Sequence, residues 1–335
     1  MPSETKPAAA PDTTLRLCAH CHKGPEKGAQ LRRCAGCAIT TSVMYCSKEC
    51  QRAAWPTHKT FCRLDNEHRP MEDRLNQEVQ CFGYQTSASF SKAFEEYQSA
   101  HQWALDRAGF AQILLKSGTQ MEVVRHQPPR EMLVFFFHAQ PTGRSQYNPA
   151  TTFKLARQGF RSIDEYARAH KENAAAVASL LKSCADIHAA ELEKNDPYYL
   201  GLVPTLYVVE GVSLQISSIL PISGRAQADS PLDDADRAAL SDFIRLCTNS
   251  MNHGLPLRVN NPRLRFYPVP GRFVRRAKGN WVWEPLFDSW EDYYRGRASC
   301  GRLQVLEGQT TGFFPLKLMS IMAAFWSVEG SSESP

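Results

Sequence analysis

The sequence lacks several features that mark particular classes of protein. No apolar run approaches the roughly 18 residues that a membrane-spanning helix needs. The N-terminal stretch MPSETKPAAAPDTT has no apolar segment of the kind found in a secretion signal, so we expect a protein of the cytoplasm or nucleus. A glycine-rich phosphate loop, a Gly-x-Ser-x-Gly turn and an internal repeat are also absent. The sequence therefore offers no familiar catalytic signature.

An excess of positive or negative charge is confined to the N-terminal part of the chain. The 335 residues include 39 Lys and Arg and 34 Asp and Glu; nine of these basic and four of these acidic residues lie within positions 1–62, which accounts for the whole net charge of +5. Positions 63–335 are therefore balanced in charge. Because phosphate contacts require a concentration of Lys and Arg, we do not expect nucleic acid as a partner.

Cysteine is abundant by contrast, and it is clustered. Of the 11 cysteines, seven fall within residues 18–62, and together with one histidine they form four pairs: Cys18-x2-Cys21, Cys34-x2-Cys37, Cys46-x3-Cys50 and His58-x3-Cys62. Such spacings let two side chains converge on one tetrahedral zinc ion, and intracellular thiols stay reduced, so the pairs predict metal ligands rather than disulfides. The scattered cysteines are expected to be small buried side chains: Cys81, Cys184, Cys247 and Cys300.

Eight ligands would fill two zinc sites with four protein ligands each. A site of this kind has no open position for water, so its zinc is expected to be structural and not catalytic. A segment of about 45 residues has too small an apolar core to fold alone, whereas a structural zinc contributes roughly 10–16 kcal/mol. Two Zn²⁺ ions and seven thiolates also reduce the charge of the segment from +5 to +2. Spacing alone does not decide which pairs share an ion.

The second half of this segment resembles a MYND-type zinc finger. The resemblance covers 45 of the 335 residues, 18–62, and it rests on Tyr45-Cys46-Ser47, Cys50-Gln51, Trp55, His58 and Cys62. It implies interleaved zinc binding. One ion would take Cys18, Cys21, Cys46 and Cys50, and the other would take Cys34, Cys37, His58 and Cys62.

MYND fingers are peptide-binding modules, so the resemblance also implies a protein partner. Some members of the family bind short proline-rich peptides with a Pro-x-Leu-x-Pro pattern, which add to an exposed strand and pack on a glutamine and a tryptophan. The matching positions are Gln51 and Trp55. The alternative hypothesis is that Trp55 packs the small core between the zinc sites.

The remainder of the chain predicts an α+β domain of no recognised family. The expected organisation is a disordered tail (1–17), the finger (18–62), a linker (63–78), the α+β domain (79–326) and a second disordered tail (327–335). Within the finger, Ser47 should cap a helix that Pro56 ends. In the larger domain, Ser162-x-x-Glu165 predicts the start of one long helix.

Periodicity supplies the remaining elements of this domain. Helical patterns cover 91–116 and 240–251, and the apolar segment 316–326 is either a helix or a strand. Strands are predicted at 132–137, at 202–209 and 212–216 joined as a hairpin, and around Trp281 and Trp283. Residues 223–234 are polar and predict a loop.

The main alternative function is a SET-domain lysine methyltransferase that carries a MYND finger. Such enzymes have catalytic sequence before the finger, and they carry an Asn-His pair followed by a cysteine. Here the finger begins at Cys18, and Asn252-His253 is followed by Gly254, so this alternative is disfavoured. We therefore predict a non-enzymatic adaptor or a transcriptional or regulatory cofactor.

One further metal site is conceivable in the larger domain. Asp186, His188 and Glu191 lie close together on one predicted helix. His188 continues the apolar stripe of that helix, so a core or boundary histidine is the preferred interpretation.

Overall fold

A computed structural model describes residues 18, 20–21, 31–34, 44–67, 69–141, 147–171, 174–223, 231–260, 267–276, 280–298 and 300–326. The chain divides into two compact units, Met1–Gln77 and Glu78–Pro335. The two predicted tails, 1–17 and 327–335, lie outside the described residues, as does 224–230 of the predicted loop. None of the helices in the described residues is both long and apolar enough to cross a lipid bilayer.

The first unit is built on two short strands and a long helix. Strands β1 (Arg32–Arg33) and β2 (Met44–Tyr45) pair antiparallel. Helix α1 (Lys48–Glu67) follows, and Ser47 Oγ accepts a hydrogen bond from the Cys50 N–H at 3.2 Å, which confirms the predicted cap. Helix α2 (Arg69–Gln80) crosses the boundary between the units.

Two expectations for this region differ from the structure. Pro56 was predicted to end the helix, but α1 continues through it to Glu67. Buried Ala54 and His58 flank the proline and hold the chain on both sides, which offsets the lost backbone hydrogen bond. The predicted linker at 63–78 is helical over 63–67 and 69–78, because its Arg, Leu, Glu and Gln residues favour helix. The domain boundaries themselves stay predictions.

The second unit contains helices and strands in groups along the chain, which confirms the α+β class. The helices are α3 (Ser87–Ala100), α4 (Gln102–Ser117), α5 (Glu122–Arg125), α6 (Ile163–Ala169), α7 (Ala174–Glu193), α8 (Asp234–Asn252), α9 (Trp290–Tyr294) and α10 (Pro315–Trp326). The strands are β3 (Glu131–Ala139), β4 (Phe153–Ser162), β5 (Tyr199–Val209), β6 (Gln215–Ser223), β7 (Leu257–Arg258), β8 (Val269–Arg275) and β9 (Trp281–Pro285).

A four-stranded sheet with the order β4-β3-β5-β6 organises this unit. Strand β3 runs parallel to β5 and antiparallel to β4, and β5 and β6 form the predicted hairpin. One face packs aromatic rings against α3, where Phe94 meets Phe153 and Phe137 at centroid distances of 4.9 and 5.2 Å. On the other face a core cluster of Met132, Val134, Ile163 and Leu206 packs with residues of α6 and α7. Strands β7, β8 and β9 form a separate sheet.

Tertiary contacts break two helices that periodicity predicts as continuous. The helical pattern at 91–116 divides into α3 and α4 at His101, whose buried ring lies 3.0 Å (Nε2) from the Ala150 carbonyl oxygen. Ser162 caps a helix as predicted, but α6 ends at Ala169 and α7 is a separate helix. The strands at 132–137 and 281–283 and the helix at 240–251 are confirmed, and 316–326 is helical.

Two buried titratable groups of the second unit have shifted pKa values. Asp242 on α8 is fully buried and accepts hydrogen bonds from the backbone N–H and the hydroxyl groups of both Thr310 and Thr311. Burial raises the pKa of Asp242, but these donors outweigh it and hold the pKa below its usual value. For His101, burial lowers the pKa to about 4; the Ala150 carbonyl opposes this shift and the charge of Arg258 adds to it.

The scattered cysteines only partly meet the prediction. Cys184 and Cys247 are buried, as expected. Cys300 is half-buried, and Cys81 is exposed, with its thiol donating to the Glu78 carbonyl oxygen at 3.0 Å. The expectation for Cys81 was wrong because it follows the last turn of α2 rather than lying on an apolar face.

Candidate metal centre

Four cysteine sulfur atoms converge in the first unit. Cys18 and Cys21 precede β1, Cys46 directly follows β2, and Cys50 lies in the first turn of α1. Their Sγ atoms all lie within 4.8 Å of one another. In the described part of the chain, this is the one group of His, Cys, Asp or Glu side chains arranged to hold a metal ion.

The distances within this group fit a tetrahedral zinc ion. Zn–S bonds of about 2.3 Å at tetrahedral angles require sulfur atoms about 3.8 Å apart. The Sγ atoms of Cys21 and Cys46 are 3.7 Å apart, and those of Cys46 and Cys50 are 3.3 Å apart. The donor set of four thiols also has the softness that zinc accepts.

The thiols of this group shift one another's pKa values. Burial raises the pKa of Cys18, but the backbone N–H groups of Cys21, Cys46 and His20 outweigh it and lower the pKa to about 6. The neighbouring thiols of Cys50, Cys21 and Cys18 raise the pKa of Cys46 to about 12. Four thiolates at this spacing repel one another, and a positive ion between them would offset that repulsion.

The four-sulfur group joins the first and third ligand pairs along the chain. Cys18 and Cys21 meet Cys46 and Cys50, whereas Cys34 belongs to the intervening pair. This is the interleaved arrangement that the resemblance implied. Antiparallel pairing of β1 with β2 explains it, because it carries the chain back before Cys46.

The second predicted ligand set is described only in part. Cys34 and His58 are buried, with 2% and 7% of their surface exposed, and the Gln51 Nε2 donates to Cys34 Sγ at 3.5 Å. Cys37 and the side chain of Cys62 lie outside the described residues. The second site therefore stays a prediction.

The family comparison agrees with this geometry. The model of the MYND finger family matches residues 18–62. The chain carries a MYND finger. Fingers of this family generally mediate protein interactions, and the cysteine cluster supports zinc binding by this one. No solved structure matches the chain, and residues beyond the finger match no recognised family.

Two aromatic side chains of the MYND finger occupy contrasting environments. Tyr45, directly before ligand Cys46, is 2% exposed and belongs to the apolar cluster of the finger with Cys18, Cys34 and Ala54. Trp55 on α1 is 44% exposed. Tyr45 therefore fills the core for which Trp55 was the sequence-based candidate. Its position beside a ligand was visible in the sequence, but its packing depends on the β1–β2 pairing.

Gln51 and Trp55 lie one helical turn apart on α1, so they share a face. The Gln51 amide is held by its hydrogen bond to Cys34. The Trp55 ring lies edge-on to His58 at a centroid distance of 6.1 Å, and Tyr45 contacts the same histidine at 6.0 Å. The structure thus brings both predicted peptide-contact residues next to predicted ligands of the second ion.

The other candidate residues have structural partners. The Asp186 carboxylate accepts from Lys182 at 2.6 Å, and Nδ1 of His188 lies 2.9 Å from the Tyr199 hydroxyl. Within the described residues these side chains form no group arranged around a metal. The side-chain amide of Asn252 accepts a hydrogen bond from the Leu155 N–H and donates one to the Leu155 carbonyl oxygen. These two hydrogen bonds cover part of the outer edge of β4.

Proposed function

We propose that this chain is a non-enzymatic interaction protein whose MYND finger captures a short, extended, proline-rich peptide from a protein partner. Gln51 and Trp55 form the contact surface. Zinc stabilises the finger and takes no part in chemistry. The function is that of an adaptor or a transcriptional or regulatory cofactor in the cytoplasm or nucleus.

The exposure of Trp55 is the observation that carries this proposal. A tryptophan that is 44% exposed leaves a large apolar surface in water, although Tyr45 already fills the nearby core. Tryptophan is among the residues most often found to dominate the binding energy of protein interfaces. Covering its ring with a proline or leucine side chain would recover the hydrophobic free energy that the folded finger leaves unused.

The rigidity of α1 supports the same proposal. Cys50 belongs to the four-sulfur group, and buried His58 lies two turns further along the helix. Trp55 lies between these two anchored residues, so little conformational entropy is lost when a peptide binds. The Gln51 amide, oriented by Cys34, offers its carbonyl oxygen to a peptide N–H.

The short sheet offers backbone partners for an extended peptide. Strands β1 and β2 form a two-stranded sheet within the described residues. Among the described residues, no further strand pairs with either of them, so a peptide could add hydrogen bonds at an outer edge, as in other cases of strand addition. A proline-rich peptide suits such an edge because it is already extended before binding.

The proposal is tested by fluorescence polarisation with the full-length, zinc-loaded protein. The probe is a fluorescent peptide containing Pro-x-Leu-x-Pro, and the control peptide has alanine in place of leucine. Trp55→Ala should weaken binding by at least about tenfold, as expected for a central aromatic contact. Gln51→Ala should weaken it less. Ala53→Ser, at an exposed position on the opposite side of α1, should bind like the wild type.

The zinc content of each variant separates a binding defect from an unfolded finger. All three variants should keep the zinc content of the wild type. If the wild type does not bind the leucine-containing peptide, or if Ala53→Ser and Trp55→Ala bind it equally, the peptide proposal is wrong. Proximity labelling with wild type and Trp55→Ala would then show whether another class of protein partner depends on this residue.

The non-enzymatic part of the proposal has a separate test. A methyltransferase must bind S-adenosylmethionine, which calorimetry detects directly. We expect no binding to the full-length protein at millimolar cofactor. A measurable affinity would overturn the assignment as a non-enzymatic adaptor, whatever the result with peptides.

A further inference from the structure

The second unit contains a cavity that the finger-based function does not use. It has a volume of about 580 Å³ and lies on the α6 face of the four-stranded sheet. Its floor consists of apolar side chains from the parallel strands, Val134 and Phe136 on β3 and Val208 on β5. Tyr166 and Ala169 of α6 form one wall. This size is typical of sites for small molecules.

Strand register explains why the cavity exists. On β4, Arg157 lies opposite Phe136 and Gly159 lies opposite Val134. Because every second residue of a strand faces the same side, Arg157, Gly159 and Arg161 lie in a row on one face. Gly159 contributes no side chain, and a Cβ atom built there would meet nothing within 4 Å. The gap between the two arginines therefore opens onto the apolar floor.

Arg157 is fixed in place at the rim. Its guanidinium lies 3.9 Å from the centroid of the Phe136 ring, and it donates to Glu210 at 2.6 Å. The other oxygen of Glu210 lies 3.3 Å from Nδ1 of His138. The charge of Glu210 is thus already shared between two partners.

Arg161 differs from Arg157 in having no such partner. It also lines the cavity, but within the described part of the chain it takes part in no ion pair. The remaining carboxylate at the rim, Glu165, lies in the first turn of α6, where the helix dipole stabilises a negative charge. Among the described residues that line the cavity, Arg161 therefore lies beside the apolar floor without an ion-pair partner.

We propose that this cavity binds a small amphipathic carboxylate. The apolar body of the ligand lies on Phe136, Val134 and Val208, and its carboxylate accepts hydrogen bonds from the Arg161 guanidinium. A guanidinium presents paired donors that match the two oxygens of a carboxylate. This inference is independent of peptide binding by the finger, because every residue involved belongs to the second unit.

The test uses three probes that share one apolar body. 4-Phenylbutyrate carries a negative charge, 4-phenylbutyramide is neutral and 4-phenylbutylamine is positive. Binding to the full-length protein is followed by the methyl NMR signals of ¹³C-labelled valine. The carboxylate should shift the Val134 and Val208 signals at millimolar concentration. It should leave the exposed Val259 and Val282, which do not line the cavity, unchanged.

Three variants separate charge from shape. Arg161→Gln should weaken carboxylate binding by roughly tenfold, the lower end of what a hydrogen bond to a charged group contributes. Lys154→Gln removes another exposed cation of β4 that does not line the cavity, and it should bind like the wild type. Ala169→Trp fills the cavity from an exposed position on α6 and should abolish binding while Arg161 remains.

The probe and variant measurements together either support or overturn carboxylate binding in the cavity. Preference for the carboxylate over the amide and the amine, lost in Arg161→Gln and Ala169→Trp, supports it. It is overturned if the carboxylate leaves Val134 and Val208 unshifted, if the amine binds as well as the carboxylate, or if Lys154→Gln matches Arg161→Gln. The valine signals of each variant also report whether its fold is intact.

Discussion

Replacing Cys46 with serine should remove one zinc ion from the protein and unfold the MYND finger. Cys46 is exposed, so the substitution leaves no cavity in an apolar core. Its sulfur nevertheless lies 3.7 Å from that of Cys21 and 3.3 Å from that of Cys50. A serine hydroxyl is a far weaker zinc ligand than a thiolate, so the site loses one of its four donors.

The magnitude follows from comparing the contribution of a structural zinc with that of the apolar packing around the ligands. Among the described residues of the finger, the apolar cluster around Cys18 and Cys34 contains two further buried side chains, Tyr45 and Ala54. Deleting a buried aromatic side chain costs roughly 3–5 kcal/mol, whereas a structural zinc contributes roughly 10–16 kcal/mol. The metal term is therefore the larger one, and the finger should not survive its loss.

The assay is zinc content by mass spectrometry after gel filtration, combined with limited proteolysis. The matched control is Cys81→Ser, which changes an exposed cysteine outside the four-sulfur group. Cys46→Ser should contain one zinc fewer per chain than the wild type and should be cleaved within residues 18–62. Cys81→Ser should equal the wild type on both counts. Full zinc retention by Cys46→Ser, or an equal loss in both variants, would refute the reasoning.

Two predictions concern the larger unit. Asp242→Asn keeps one acceptor oxygen but loses the charge that four donor groups of Thr310 and Thr311 hold, so urea denaturation should show a loss of about 2–3 kcal/mol; an unchanged midpoint would contradict this. Burial lowers the pKa of His101 to about 4, below the usual value of about 6.5, so the unfolded chain binds the extra proton first. Stability should therefore be full above pH 6.5 and fall by about 3 kcal/mol as the pH drops to 4, and His101→Gln should flatten this part of the profile.

The first zinc site could be predicted because its information is local in the sequence. Pairs such as Cys18–Cys21 and Cys46–Cys50 are each brought together by a single turn of chain, and few other residue types bind zinc in this way. The interleaved choice between pairs was not in the spacing; it came from the resemblance, and the β1–β2 pairing accounts for it. The second site remains a prediction because Cys37 and the side chain of Cys62 are not among the described residues.

The fold of the larger unit could be predicted as a class and at the level of single strands. The strand at 132–137 could be predicted from its apolar pattern, and the hairpin at Glu210-Gly211 from its turn residues. The structure confirms both. The break between α3 and α4 at His101 could not be predicted, because it depends on a contact with Ala150, 49 positions away in the sequence. The cavity beside Gly159 is likewise invisible in the sequence, since it requires the register of β4 on β3.

Helix α1 links the zinc to the proposed function without any chemistry at the metal. Its first turn carries Cys50 of the four-sulfur group, and its buried His58 is the predicted ligand of the second ion. Trp55 is exposed between these positions, and Pro56 follows it without ending the helix. A single free helix of this composition would be marginal in water, because most helical stability in proteins comes from packing. The four-sulfur group at Cys50 and the buried His58 supply that packing, so they determine where the Trp55 ring lies even though Trp55 is not itself a predicted ligand.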